Sequence, residues 1–247
     1  MTIRFVSAIV LTAMTIGATP APETIRVAHA DLAAFITVKG DKTVGVVADI
    51  LRAAAAREGI AIDFVALAGD AAAALANGSA DAVAPTFVSA SGNQAFDYST
   101  AILTTGGGLF VRAPGPAPSD PTMLAGRTVA TPVFGPYLGL FAKKFPSIKI
   151  LKTSSYEESI EKVLNGQADA AALNIQDGAD FVAQSYAGKI AVPTSMFVTT
   201  ELVLAVAKGT HAGLLERIDA GLAAIRADGT LQRIEAADGT PAASTRR

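Results

Sequence analysis

A six-residue pattern that occurs twice constrains the fold of this chain more than any other sequence feature. Segments 77–82 and 165–170 read NGSADA and NGQADA. In each copy, Asn-Gly predicts the left-handed turn that ends a helix, and Asp-Ala predicts the start of a buried strand. Both copies occupy the same place in a cycle of strands and helices. This favours two related lobes over a chance similarity between two turns.

The two cycles alternate period-two strand patterns with helical patterns over short connections. The first has strands at 24–28, 60–67 and 81–84 with helices at 46–54 and 70–76, and the second has strands at 128–131, 148–151 and 170–173 with helices at 138–145 and 156–164. This order predicts an α/β fold in which each lobe is an open, mainly parallel sheet with flanking helices.

Proline and glycine are concentrated between the cycles, in the segment RAPGPAP at 112–118. Apolar strands at 109–111 and 202–207 flank the second cycle and predict a two-stranded hinge. The predicted organisation is a signal peptide at 1–21, the first part of lobe 1 at 22–111, lobe 2 at 112–200, a returning hinge strand with C-terminal lobe-1 helices at 201–236, and a flexible tail at 237–247.

The amino terminus has the pattern of a secretory signal. Arg4 precedes the uncharged apolar run 5–18, and small residues follow it. The run is shorter than the about 20 residues that a membrane span needs. A buried helix or strand is the alternative reading. We expect export by this signal to the periplasm.

Composition excludes several classes of protein. With 51% hydrophobic and 17% charged residues, the chain is not disordered. A formal charge of −2 without a basic stripe argues against nucleic-acid binding. The chain has no cysteine, and its two histidines, His29 and His211, are far apart in sequence. We therefore expect no metal, no cofactor and no nucleophilic triad.

Several short stretches, in their order and spacing, resemble the bacterial extracellular solute-binding proteins of the polar amino-acid type (family 3), which serve ABC importers. The resemblance runs from Ile25 to Ile234 and rests on segments 25–27, 44–50, 75–83, 97–99, 165–171 and 227–231. It implies a two-lobed periplasmic-binding-protein fold of type II, with lobe 1 built from both chain ends. It also implies a small-molecule solute between the lobes and transient contact with a membrane ABC permease. We expect a monomer.

The resemblance also implies which residues contact the solute. They are Leu32 and Phe35 on the lobe-1 lip, Thr86, Val88, Ser89 and Asn93 on the lobe-1 wall, the backbone of Gly135, Pro136 and Tyr137 at a helix start, and Asn174 from lobe 2. Backbone N–H groups at a helix start can bind an anion.

Two charged anchors of the family are missing here. Relatives place a carboxylate-binding arginine shortly before an Asp-Phe-Ser segment, but Gly92 or Asn93 stands at that place. The aspartate that binds the ligand ammonium is Asn174, the threonine of the Gly-Thr turn is Pro136, and the aromatic lid is Leu32. Loss of both charges predicts a ligand without the full zwitterion, because an unpaired buried charge costs several kcal/mol. The remaining polar groups, which are Thr86, Ser89, Ser91, Asn93 and Asn174, suit a neutral or weakly charged solute.

Two other functions are open on this scaffold. Some relatives are cyclohexadienyl dehydratases, and Asp31, Asp177 and Glu201 are the carboxylates that could approach the cleft as a proton donor. Their spacing does not require this role, and Asp177 is expected to cap the next helix or face solvent, so we expect no enzyme. The other alternative is a periplasmic sensor or accessory protein that reports solute occupancy to a receptor.

Overall fold

The computed structural model describes residues 23–32, 35–88, 92–133 and 136–238. The predicted signal peptide and residues 239–247 of the predicted tail lie outside this range.

The strands and helices follow the two predicted cycles. The strands are β1 (Glu23–His29), β2 (Thr37–Lys39), β3 (Lys42–Val44), β4 (Ile60–Ala66), β5 (Ala82–Phe87), β6 (Phe96–Tyr98), β7 (Leu103–Arg112), β8 (Thr128–Pro132), β9 (Lys149–Thr153), β10 (Ala170–Asn174), β11 (Ile190–Ala191) and β12 (Val198–Ala207). The helices are α1 (Val46–Arg57), α2 (Ala71–Ala76), α3 (Gly92–Ala95), α4 (Tyr137–Lys144), α5 (Tyr156–Leu164), α6 (Ile175–Ser185), α7 (Ala212–Ala227) and α8 (Thr230–Asp238), with a 3-10 turn at Pro121–Leu124.

Strand pairing gives two parallel sets joined by two long antiparallel strands. The order is β4-β1-β5-β12-β7-β10-β8-β9, with β6 paired to β12 and β11 to β7. The β4-β1-β5 set and the β10-β8-β9 set are parallel within themselves. Between them, β12 and β7 run antiparallel to their neighbours. The α/β fold with a two-stranded hinge, predicted from the sequence, is confirmed.

Each parallel set has its own hydrophobic core. In lobe 1, α1 and α7 pack on the sheet, and Gly221 lets them approach, because a Cβ there would lie 2.1 Å from the carbonyl oxygen of Ala54. In lobe 2, α5 and α6 cover Phe110 on one sheet face, while α4 covers Leu109 on the other. The boundaries predicted for the two lobes along the sequence stay predictions.

The repeated hexapeptide forms the same structure in both lobes. Gly78 and Gly166 have φ values of +71° and +72° and end helices α2 and α5. Asp81 then accepts a hydrogen bond from the backbone N–H of Arg26 at 2.8 Å. Asp169 likewise accepts a hydrogen bond from the backbone N–H of Thr128 at 2.8 Å. Each aspartate therefore ties the start of one parallel strand to its neighbour, a contact that the turn pattern alone did not reveal.

Candidate functional site

The two parallel sets end where β7 and β12 overlap. This overlap runs from the pair Leu103–Leu202 to the pair Gly107–Val198. Phe87, the last residue of β5, pairs with Leu202 at one end. Asn174, the last residue of β10, pairs with Gly107 at the other end. Ligands of open α/β sheets bind outside the carboxyl ends of the parallel strands. We therefore take the region bordered by the overlap and these strand ends as the candidate site and call it the cleft.

Asn174 organises the lobe-2 side of the cleft. Its Oδ1 accepts hydrogen bonds from the backbone N–H groups of Gln176 at 3.0 Å and Asp177 at 3.2 Å, which caps α6. Since Oδ1 is thereby identified, Nδ2 is the donor on the other side, and it donates to Thr105 Oγ1 at 2.8 Å. The Thr105 hydroxyl in turn donates to Gln176 Oε1 at 2.5 Å.

This chain of hydrogen bonds ends at an unsatisfied amide. Gln176 is 5% exposed, and its Nε2 is buried without a hydrogen-bond partner. The hydroxyl of Thr105, which contacts this amide, is itself fully buried. A buried donor without a partner costs about 1–3 kcal/mol.

The buried Tyr137 and the half-buried Tyr156 lie beside Asn174. The hydroxyl of Tyr156 accepts a hydrogen bond from the Asn174 N–H at 3.2 Å. Burial, and after it the nearby Asp177 carboxylate, raises the pKa of Tyr156 to about 12. Burial also raises the pKa of Tyr137 above its usual range, with Tyr156 and Asp177 adding to the effect. Both phenols are therefore neutral at physiological pH and stand close to a carboxylate.

The lobe-1 side is more exposed and more apolar. Thr86 is half-buried and pairs with Val203 in β12, while Val88 beyond the strand end is 52% exposed. Asn93 lies exposed in the short helix α3. Leu32 is half-buried and bridges to Ile36.

Phe35 does not lie on the lip as predicted. It is 1% exposed and packs in the lobe-1 core, because its backbone oxygen accepts a hydrogen bond from Val47 N–H at the start of α1. Gly45 allows this close approach, since a Cβ there would lie 2.5 Å from the same oxygen.

The structure describes only part of the turn at 135–137 that was predicted to bind an anion. Pro136 is exposed and precedes α4, but Tyr137, the first residue of α4, is buried against Phe197 with ring centroids 5.6 Å apart. Ser89 and Gly135 lie outside the described residues. Contact between a solute and the ten predicted residues stays a prediction.

Asp177 differs from its predicted role. Asn174, not Asp177, supplies the side chain that caps α6. Asp177 is instead half-buried, and its charge adds to the effect of burial, which is the main cause of the raised pKa of both tyrosines. Thr105, Gln176 and Tyr156 were not among the predicted site residues. Pairing of β10 with β7 brings Thr105 beside Asn174, α5 supplies Tyr156, and Gln176 lies in the first turn of α6.

Three carboxylate residues occur in the segments that border the cleft. Glu201 lies exposed on the overlap, Asp177 follows β10, and Asp31 follows β1. Neither lysine nor arginine occurs in the sequence of the bordering segments, which are 28–36, 84–95, 103–107, 132–137, 174–177 and 198–202. The nearby His29 is buried and already contacts Thr43, with Nε2 and Oγ1 3.2 Å apart.

Other parts of the described chain are weaker candidates for a functional site. Its residues contain no group of three His, Cys, Asp or Glu placed to hold a metal ion. A surface hollow of about 290 Å³ lies between α1 and α8, lined by exposed and half-buried residues of these two helices. Within residues 23–238, where described, no helix is long and apolar enough to cross a membrane.

Similarity to known proteins agrees with this geometry. The model of the bacterial extracellular solute-binding proteins, family 3, matches residues 25–237. The second substrate-binding domain of a putative amino acid ABC transporter from Streptococcus pneumoniae superposes with a TM-score of 0.74 at 22% identity, covering 88% of this chain and 100% of that one. The second substrate-binding domain of Lactococcus lactis GlnP, in its open conformation, gives a TM-score of 0.70 at 20% identity, covering 91% and 97% of the two chains.

Sensor proteins also resemble the chain. The periplasmic VFT2 domain of Bordetella pertussis BvgS superposes with a TM-score of 0.68 at 25% identity, covering 87% of this chain and 92% of that one. The virulence sensor protein BvgS of Bordetella bronchiseptica is 27% identical over 136 residues, which is 55% of this chain and 11% of that protein. The chain therefore spans only a small part of the curated relatives it matches. The family model, by contrast, covers most of the chain, which belongs to the bacterial extracellular solute-binding proteins, family 3.

Proposed function

We propose that this protein is exported to the periplasm, binds one small polar solute in the cleft, and delivers it to an ABC importer. The observation that carries the proposal is the convergence of both parallel sets on the overlap of β7 and β12. At this place the hydrogen-bond chain through Asn174 and Thr105 leaves the buried Gln176 Nε2 without a partner. Importer domains among the structural neighbours support delivery to a transporter.

The first test is to identify the solute. Native mass spectrometry of protein purified from its own host, without denaturation, is expected to show a bound molecule of low mass. The same molecule added to stripped protein is expected to raise the melting temperature, since a ligand that binds only the folded state stabilises it. Protein that carries no solute and responds to no member of a panel of amines, amino acids, sugars and organic acids would contradict solute binding.

We further propose that the cleft binds without turnover. The carboxylate of Asp177 lies near two neutral tyrosines, an arrangement that suits ligand binding. Incubation with prephenate or arogenate is expected to leave both compounds unchanged. Formation of phenylpyruvate or phenylalanine above the uncatalysed rate would assign a dehydratase instead.

A role in sensing is the second candidate, because the chain resembles the BvgS sensor in both sequence and structure. Deleting the gene separates the two roles. Import predicts that cells lose uptake of the radiolabelled solute, and this loss would be restored by the wild-type chain. Sensing predicts normal uptake together with a lost transcriptional response to the same solute.

A further inference from the structure

Two parallel strands, one in each lobe, end in exposed apolar side chains. Phe87 is the last residue of β5 and is 48% exposed, and Val88 after it is 52% exposed. Val133, directly after β8, is 56% exposed. Phe87 pairs with Leu202 in β12, and the Val133 N–H donates to the carbonyl oxygen of Thr153 at 2.9 Å. The backbone therefore fixes the positions of these apolar groups, while their side chains are open to solvent.

The position of these strand ends connects them with the cleft. Single exposed apolar residues are common on proteins, and Val38, Met123 and Val192 are further examples in the described chain. The strand ends differ because they flank the hinge, with β5 next to β12 and only β10 between β8 and β7. Ligands of open α/β sheets bind outside the carboxyl ends of the parallel strands. Each lobe thus brings exposed apolar surface to the side of the sheet where the solute is proposed to bind.

Both strand ends also lie in stretches without charge. Segments 82–96 and 128–142 contain no Asp, Glu, Lys, Arg or His. Charged residues make up 17% of the sequence, so a stretch of this length holds about two or three of them on average. A charged ligand group between two such walls would lose its water without gaining a partner, which is unfavourable. An apolar ligand group avoids this cost and contacts apolar surface on both sides.

We infer that the cleft holds an uncharged apolar group of the solute between Phe87 and Val88 of lobe 1 and Val133 of lobe 2. This inference rests on the proposed function and names the class of solute, a small molecule with a polar part and an apolar part. Rotation about β7 and β12 removes the apolar side chains and the ligand group from water together, so their burial favours closure. The three side chains are specificity-determining residues.

Matched probes test the class of solute without any mutation. In each of four series, an isopropyl group in the first member is replaced by hydrogen in the second and by a carboxylate of the same shape in the third. The series are leucine, alanine and aspartate; leucinamide, alaninamide and isoasparagine; isopentylamine, ethylamine and β-alanine; and isocaproate, propionate and succinate.

Calorimetry at several temperatures on stripped wild-type protein gives the dissociation constants and the heat-capacity changes. In a series that binds, the isopropyl member is expected to bind at least about tenfold more tightly than the other two. Its heat-capacity change is expected to be the most negative of the three, because it buries the most apolar surface.

Variants then test the strand ends. Val88→Ser and Val133→Ser are each expected to reduce the preference for isopropyl over hydrogen at least about threefold, because a hydroxyl replaces apolar surface. Val38→Ser in β2 and Val192→Ser after β11 change exposed valines away from these strand ends and are expected to keep the preference. Melting temperatures of the unliganded proteins show whether each variant is folded, and the wild-type probe series stands even if one is not.

If none of the probes binds, the variants are tested on the solute found by native mass spectrometry. Val88→Ser and Val133→Ser are then expected to weaken its binding at least about threefold, whereas the two control variants leave it unchanged.

Several outcomes overturn the inference. An isopropyl member that binds no more tightly than its partners contradicts it, and so do folded Val88→Ser and Val133→Ser proteins that both behave like wild type. If the solute found by native mass spectrometry has no apolar group, the inference fails while solute binding stands. If no solute is found and none of the probes binds, the inference and the proposed function both fail.

Discussion

At the scale of single residues, the two aspartates of the repeated hexapeptide have equivalent contacts. Asp81 accepts hydrogen bonds from the backbone and guanidinium of Arg26, with the closest ion-pair atoms 2.8 Å apart. Asp169 contacts Thr128 N–H and Arg127, but there the ion-pair atoms are 3.3 Å apart. Burial opposes ionisation of Asp81, yet the hydrogen bonds from Arg26 outweigh it and lower the pKa of that carboxyl. The aspartate of the motif therefore makes the closer ion pair in lobe 1.

Replacing these aspartates is expected to destabilise the two lobes unequally. Asp81→Ala leaves the Arg26 N–H without its partner and is expected to lower the free energy of unfolding by about 1–3 kcal/mol. Asp169→Ala is expected to cost less, because its side chain is 38% exposed against 26% for Asp81. Urea unfolding of both variants at neutral pH measures the difference. Equal losses would show that the shorter ion pair in lobe 1 adds no stability.

Tyr156 predicts a dependence of stability on alkaline pH. Its pKa is raised to about 12 in the folded protein, against about 10 in an unfolded chain. The contribution of the neutral Tyr156 to the free energy of unfolding is therefore fully present below about pH 10. It is lost as pH rises through about 12, since the tyrosine releases its proton at a lower pH in the unfolded state. Wild-type protein is expected to lose more unfolding free energy across this range than Tyr156→Phe, as measured by urea unfolding. Parallel losses in the two proteins would contradict the raised pKa.

At the scale of secondary structure elements, three consecutive glycines shape the hinge strand β7. A Cβ at Gly106 would lie 1.9 Å from the carbonyl oxygen of Val198. At Gly107 it would lie 2.3 Å from the ring of Phe197, and at Gly108 2.5 Å from the ring of Pro193. The bare backbone of 106–108 therefore lets the segment before β12 cross close to β7. This close approach helps to place the overlap that borders the cleft.

Gly106→Ala is expected to destabilise the protein by about 1–3 kcal/mol, because the obstructing atom belongs to the backbone and must move with the strand. The matched control is Gly139→Ala in α4, where an added Cβ meets no atom within 4 Å. That control is expected to raise stability by about 0.5–1 kcal/mol through helix propensity. Urea unfolding measures both changes. A Gly106→Ala protein as stable as wild type would show that β12 can shift without cost.

At the scale of the whole molecule, two cores are connected through a narrow pair of strands. The only strand pairing between the two parallel sets, within the described chain, passes through β12 and β7. Hydrophobic packing is separate on the two sides. Two rigid bodies joined in this way can rotate about the joining strands, and a solute that contacts both sides favours the closed arrangement.

Closure is measurable because the sequence contains no cysteine that would compete for labels. Asp63→Cys in β4 and Lys149→Cys in β9 lie exposed on the two outer strands of the sheet, one in each lobe. Fluorescence energy transfer between dyes at these positions is expected to change when the solute found by native mass spectrometry is added. A control pair within lobe 1, Asp63→Cys with Glu216→Cys, is expected to show no change. Constant transfer in the first pair would contradict hinge closure.

The sequence by itself determined the order of elements, because short-range patterns specify them. Helix α5 was predicted at its observed bounds, and the Asn-Gly turns ended α2 and α5 as expected. The departures from the family that the resemblance implies, at Asn174 and before Asp97, depend on residue identities alone. Local periodicity and turn chemistry depend only on neighbours in the chain, which is why they can be read without coordinates.

Only the tertiary structure decided which side chains meet. Register between β7 and β10 brings Thr105 to Asn174, residues that are 69 positions apart in sequence, and α6 adds Gln176 to the same network. Burial of Phe35 followed from the close contact of its backbone with α1. Strand register and packing arise from contacts distant in sequence, so no local pattern contains them. The repeat thus determined two lobes, and the pairing between them determined the chemistry of the cleft.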